Sequence, residues 1–156
     1  MEFTDIAMEL SKEAWQASFQ HPFVLQLQEG TLEPSIFRYY LIQDAYYLKS
    51  FSEAYHLLAD KTSNQEMKRL LKQNAQSLVE GELFIRKQFF KELGISDQEM
   101  DEQPIAPTCY HYISHIYRQF AEPNLGIAFV SLLPCPWLYH DLGKALNRNP
   151  SPNPLY

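Results

Sequence analysis

Apolar residues recur along the chain at intervals of three and four, the spacing that gathers side chains onto one face of an α-helix. Phe3, Ile6, Ala7, Leu10, Ala14 and Ala17 follow it and predict an amphipathic helix over residues 3–19. His21-Pro22 interrupts the pattern. Pro22 suits the first turn of a short helix ending at Gly30, because a first-turn N–H has no helical partner to lose. A second break precedes Pro34, and a long helix then runs to about Asp60 through IFRYYLIQDAYYLKSFSEAYHLLA. Ser63-Asn64-Gln65-Glu66 has the form of a capping box, with Ser63 as the cap of a helix that ends at Leu93 and Gly94 as its left-handed terminus. Ser96-Asp97-Gln98-Glu99 repeats the capping pattern for a short helix. Pro104 and Pro107 mark a loop, Thr108 is placed to cap a helix through Phe120, and Asn124 caps the last one. That helix meets a break at Pro134 and Pro136 and resumes to about Asn147. The tail NPSPNPLY is too rich in proline to be helical. With no strand pattern, no internal repeat and no dividing linker, the expectation is an all-α bundle forming a single domain over residues 1–156.

Composition narrows the class. Of the 156 residues, 46% are hydrophobic and 14% aromatic, including ten Tyr and ten Phe, which suits an aromatic core or a pocket walled by rings. A mean hydropathy of -0.35 is that of a soluble protein. The net charge of -6 argues against nucleic acid as a partner, since such proteins carry a basic face. The longest apolar run, Ile127 to Cys135, is too short to span a bilayer, so no membrane association is expected. The opening MEFTDIAMELSKEAW is acidic and amphipathic, unlike a signal peptide, which points to a cytoplasmic protein with Cys109 and Cys135 as thiols.

Three clusters could carry chemistry. In LPCPWLY, residues 133–139, a cysteine stands between two prolines. If Pro136 opens the resumed helix, Cys135 is its N-cap and feels the positive end of the helix dipole, which favours the thiolate; a buried structural cysteine beside a kink is the plain alternative. In QDAYYLKSF, Asp44 and Tyr47 share a helical face inside an apolar segment. A carboxylate beside a ring suits a flat, amine-bearing ligand, unless the aspartate simply faces solvent. Cys109, Tyr110, Tyr112, His115 and Tyr117 crowd one short helix, and Cys135 and Tyr139 lie one turn apart. Glu53 and His56 form a Glu-x-x-His pair, but a di-iron site needs a second such pair, and the sequence has none. None of His21, His56, His111, His115 and His140 is singled out as a haem ligand, and no phosphate loop or Cys-x-x-Cys is present.

HPFVLQLQEGTL at 21–32, RYYLIQDAYYLKSF at 38–51, PTCYHYISHIYR at 107–118 and LLPCPWLY at 132–139 together resemble the thiaminase II (TenA) family, in order and over essentially the whole chain. The resemblance implies the haem-oxygenase-like helical bundle, a cytoplasmic homotetramer, no cofactor and no metal. It implies hydrolysis of aminopyrimidines, either thiamin or the aminomethylpyrimidine left by its degradation, to hydroxymethylpyrimidine in thiamin salvage. Cys135 matches the family nucleophile, Asp44 the carboxylate that binds the aminopyrimidine edge, Tyr47 the ring that stacks on the substrate, and Tyr112 and Tyr139 tyrosines that line the pocket. The family's catalytic glutamate and another pocket tyrosine, on the last helices of the bundle, have no counterpart here. A bundle lacking those helices is expected to expose an apolar groove, and so to self-associate, to cover the groove with a swapped or intersubunit surface, or to be marginally stable. The alternative is a non-catalytic aminopyrimidine-binding or regulatory protein.

Overall fold

The computed structural model describes residues 2–154 and 156, with the side chains of Glu82 and Leu83 left aside. Nine α-helices are formed among the described residues, and no strand. They fall into two compact units, residues 34–133 and residues 1–33 with 134–156.

The larger unit is built on α3 (Pro34–Lys61), whose 28 residues are unbroken by glycine and by any proline after the first. Its buried face carries Phe37, Leu41, Ile42, Leu48, Phe51, Ala54, Tyr55, Leu58 and Ala59, and each large apolar side chain contributes about 1.5–3 kcal/mol on full burial. Packed against it are α4 (Gln65–Ser77), α5 (Leu83–Leu93), α7 (Pro107–Gln119) and α8 (Leu125–Leu132). Buried polar groups on α3 have partners: Ser52 Oγ donates to the Ala75 carbonyl at 3.2 Å. At its end Lys61 donates to the Phe120 carbonyl at 2.7 Å, closing the C-terminus of α7.

Caps set the helix ends, with two corrections. Asn64, not Ser63, is the N-cap of α4, its side chain accepting from the Met67 N–H at 3.0 Å. The amide oxygen of Asn64 does for Met67 N–H what Ser63 would have done for Glu66 N–H, one residue earlier. Ala106 and Pro107, not Thr108, open α7. Pro107 takes the first position, where its missing N–H costs nothing, so Thr108 already lies inside the first turn. The expected caps hold at Ser96 for α6 (Asp97–Glu102) and at Asn124 for α8.

Gly94 has φ 64° and ends α5 as expected. Ile95 N–H returns to the Phe90 carbonyl at 2.8 Å and Gly94 N–H to Lys91 at 3.3 Å, the Schellman pattern. The helix expected to run unbroken to Leu93 instead contains a π-helical turn, Leu78–Glu82, between α4 and α5. Such a turn closes i→i+5 bonds and adds a residue to the helix without adding a turn.

The smaller unit holds α1 (Phe3–Phe19), α2 (Pro22–Glu29), α9 (Pro134–Leu146) and the tail. Trp15 of α1 meets Trp137 of α9 edge to face, centroids 5.5 Å apart. Gly30, at φ 74°, ends α2, and a Cβ there would come within 3.1 Å of Pro152 and Asn153. The tail is tied in at Tyr156, whose hydroxyl donates to the Leu32 carbonyl at 2.7 Å. Leu155, singled out in the sequence with Tyr156, lies outside the described residues.

The proline break also differs from expectation. α8 ends at Leu132, Leu133 is a bend, and α9 begins at Pro134. Both prolines therefore occupy the first turn of one helix, where no intrahelical N–H bond exists to lose. Cys135 is not the N-cap; it sits inside that first turn.

Candidate functional site

Asp44 is 8% exposed on the buried side of α3. An unpaired carboxylate there would be costly, and its Oδ2 is paired with the Nη2 of Arg86 on α5. The guanidinium also lies over the Tyr40 ring, 5.7 Å from its centroid. One turn along α3, Tyr47 stacks on Tyr112 of α7 with centroids 5.5 Å apart and planes 7° from parallel. Phe51 also stacks with Tyr47, at 5.2 Å and 25°. A carboxylate and a set of parallel rings thus adjoin on one face of α3, the combination expected of a site for a flat, amine-bearing ligand.

The loop before α7 is held to this face by Gln43. Its Nε2 donates to the Pro104 carbonyl at 3.0 Å and its Oε1 accepts from the Ala106 N–H at 2.7 Å. Tyr46 adds a bond from its hydroxyl to the Met100 carbonyl at 2.7 Å. Cys109 Sγ approaches the Gln43 carbonyl at 3.6 Å. Burial pushes the Cys109 thiol above its ordinary pKa, and the negative charge of Asp44 raises it further. A thiol so held is a poor nucleophile at neutral pH.

The five residues singled out in the sequence are distributed between the units. Asp44, Tyr47 and Tyr112 come together in the larger one. Cys135 and Tyr139 lie one turn apart on α9 in the smaller one, the first half-buried and the second 51% exposed. Neither cysteine is disulfide-bonded. His115 is exposed and lies beside Gln119. Glu53, half of the Glu-x-x-His pair, accepts from the Tyr117 hydroxyl at 3.1 Å, and no group of three or more metal-ligating side chains gathers among the described residues. A groove of about 400 Å³ in the smaller unit, lined by Met8, Trp15, Phe19 and Lys144 among others, includes none of the five.

Arg86 and Gln43 were missed in the sequence. Each acts across a long separation on a partner that local periodicity does not reveal. The one available signal was the buried aspartate itself, which requires a cation or a donor from elsewhere in the chain.

The family model described as TENA/THI-4/PQQC matches residues 10–156. The chain belongs to this family. An aminopyrimidine aminohydrolase of Bacillus subtilis (strain 168) is 33% identical over 156 residues, taking in 100% of this chain and 66% of its own length. A second, from Halalkalibacterium halodurans, is 27% identical, covering 100% of this chain and 70% of its own. Among solved structures, a TenA homologue from P. horikoshii OT3 superposes with a TM-score of 0.90 at 25% identity, over 100% of this chain and 74% of that one. A TenA family transcription regulator from Silicibacter sp. TM1040 gives 0.88 at 24%, over 95% of this chain and 66% of that one. The all-α TenA-type fold expected from the motifs is the fold found, and the chain spans about two thirds of the length of these TenA relatives.

Proposed function

We propose that the protein is an aminopyrimidine hydrolase of thiamin salvage, releasing hydroxymethylpyrimidine from aminomethylpyrimidine or thiamin. The observation that carries this reading is the buried Asp44 beside the parallel rings of Tyr47 and Tyr112. The similarity of the whole of this chain to two thirds of an aminopyrimidine aminohydrolase supports it. Asp44 accepts from the exocyclic amine, Tyr47 stacks on the ring, and Tyr112 and Tyr139 line the site.

Cys135 is the nucleophile in this reading. Its thiolate adds to the pyrimidine ring and breaks its aromaticity, and the ring electrons then expel ammonia or the thiazole from the exocyclic carbon. Water adds at that carbon, and loss of the thiolate restores the ring. A place in the first turn of α9 favours the thiolate through the helix dipole. No cofactor or metal takes part. The protein acts in the cytoplasm as a homo-oligomer, a tetramer by family analogy.

The test is an assay of ammonia release from aminomethylpyrimidine by this chain and by Cys135→Ala, with titration of hydroxymethylpyrimidine into both. Loss of turnover with retained binding is expected for the variant. Undiminished turnover would remove Cys135 from its role. Absence of binding by the wild-type chain would remove the function itself, and binding without turnover would favour a non-catalytic pyrimidine-binding protein.

A further inference from the structure

The mechanism above leaves Arg86, the partner of Asp44, without a task. Both side chains are largely buried, 13% and 8% exposed, on α5 and α3. Arg86 Nε is buried with no hydrogen-bond partner, so the guanidinium is not held there by a full set of protein acceptors. Its placement follows from pairing with Asp44 and from the Tyr40 ring beneath it. A carboxyl group this buried takes up a proton when no cation faces it; with Arg86 against Oδ2 it stays an anion. On α7, Cys109 feels the charge of Asp44, and its raised pKa leaves it neutral. Tyr40 and Tyr47 flank Asp44 on its own helix.

The charge state of Asp44 decides what an aminopyrimidine edge must bring with it. That edge presents an N–H donor on the exocyclic amine and, beside it, a ring nitrogen with a lone pair. A carboxylate has acceptors only. It satisfies the amine but opposes lone pair to lone pair at the ring nitrogen. A proton on that nitrogen turns the mismatch into a second, charge-assisted bond. A neutral carboxyl group would instead donate its own proton to a bare ring.

We propose that Arg86 is a positioning residue that holds Asp44 as a carboxylate, so that the site takes up its aminopyrimidine as the ring-protonated cation. The proposal rests on the aminopyrimidine reading. The proton comes from solvent as the ligand enters and returns to solvent when it leaves. A protonated ring is also the better acceptor for a thiolate, so the same pair prepares the ring for addition.

Calorimetric titration of hydroxymethylpyrimidine into the chain, near neutral pH in buffers of different ionisation enthalpy, counts the protons taken up on binding. The wild-type chain is expected to take up about one proton per ligand. Arg86→Lys, which keeps the charge, should match it. Arg86→Gln should take up only a small part of a proton, because Asp44 already holds one in the free protein, and should bind about tenfold or more weakly. A merely structural Arg86 would alter affinity or melting temperature and leave the proton count unchanged.

Equal uptake by wild type and folded Arg86→Gln overturns the proposal, as does reduced uptake in Arg86→Lys. Should Arg86→Gln fail to fold, Arg86→Met, which removes the charge but keeps much of the side-chain volume, takes its place: reduced uptake upholds the role of the charge and wild-type uptake overturns it. A wild-type chain that binds the pyrimidine without taking up a proton overturns this proposal and leaves the aminopyrimidine reading standing. One that binds none removes both.

Discussion

Gln43 grips Ala106 across 63 positions of sequence, accepting its N–H at 2.7 Å while donating to the Pro104 carbonyl at 3.0 Å. This side chain therefore sets where α7 starts, and with it the height of Tyr112 against Tyr47. Gln43→Ala leaves a donor and an acceptor without their partner, and a loss of about 2 kcal/mol or more is expected. Urea denaturation measures it. A wild-type midpoint would show that solvent satisfies the loop as well as Gln43 does.

Tyr117 supplies a pH signature. Its pKa is pushed up to about 12, first by burial, then by the hydrogen bond to Glu53 and the charge of that carboxylate. The folded value lies above the unfolded one, so its contribution to stability is complete below pH about 10 and is lost as pH rises towards about 12. Tyr117→Phe should be less sensitive to alkali over that window than wild type. Phenolate absorbance should show one fewer late-titrating tyrosine in the variant.

The Cys109 thiol is raised by burial and by Asp44. Asp44→Asn removes the negative charge, so alkylation of Cys109 by iodoacetamide at mildly alkaline pH should accelerate several-fold. Peptide mapping distinguishes it from Cys135. An unchanged rate at Cys109 would mean that burial alone governs its reactivity.

Both prolines flanking Cys135 lie in the first turn of α9. Pro136→Ala restores no missing helix bond there and loosens the unfolded chain, so a change within about 1 kcal/mol, destabilising in sign, is expected. A clear gain in melting temperature would mean that Pro136 interrupts a helix after all.

Helix positions were legible because periodicity and end signals agree. Gly30 and Gly94 take the positive φ that their places after helical runs predict. Where two side chains competed for one task, the sequence could not rank them. Ser63 and Asn64 can both cap, and only the backbone conformation, β at Asn64, decides. Thr108 lost to Pro107 for a related reason, since proline fixes the first helical position more firmly than a hydroxyl attracts it. Of the candidate site, the Asp44–Tyr47 spacing was legible because both residues lie on one helix. Arg86 was not, since its pairing depends on how far α5 is turned about its axis.

That turning is set by the π-helical turn at Leu78–Glu82. An α-helix rotates by about 100° per residue, so removing one residue from the turn would swing every later side chain of α5 to another bearing. Arg86 would leave Asp44 although neither residue had been altered. For α5, length between Leu78 and Glu82 acts as a phase setting, and a relative differing there by one residue should not be assumed to carry this ion pair even where it keeps the arginine.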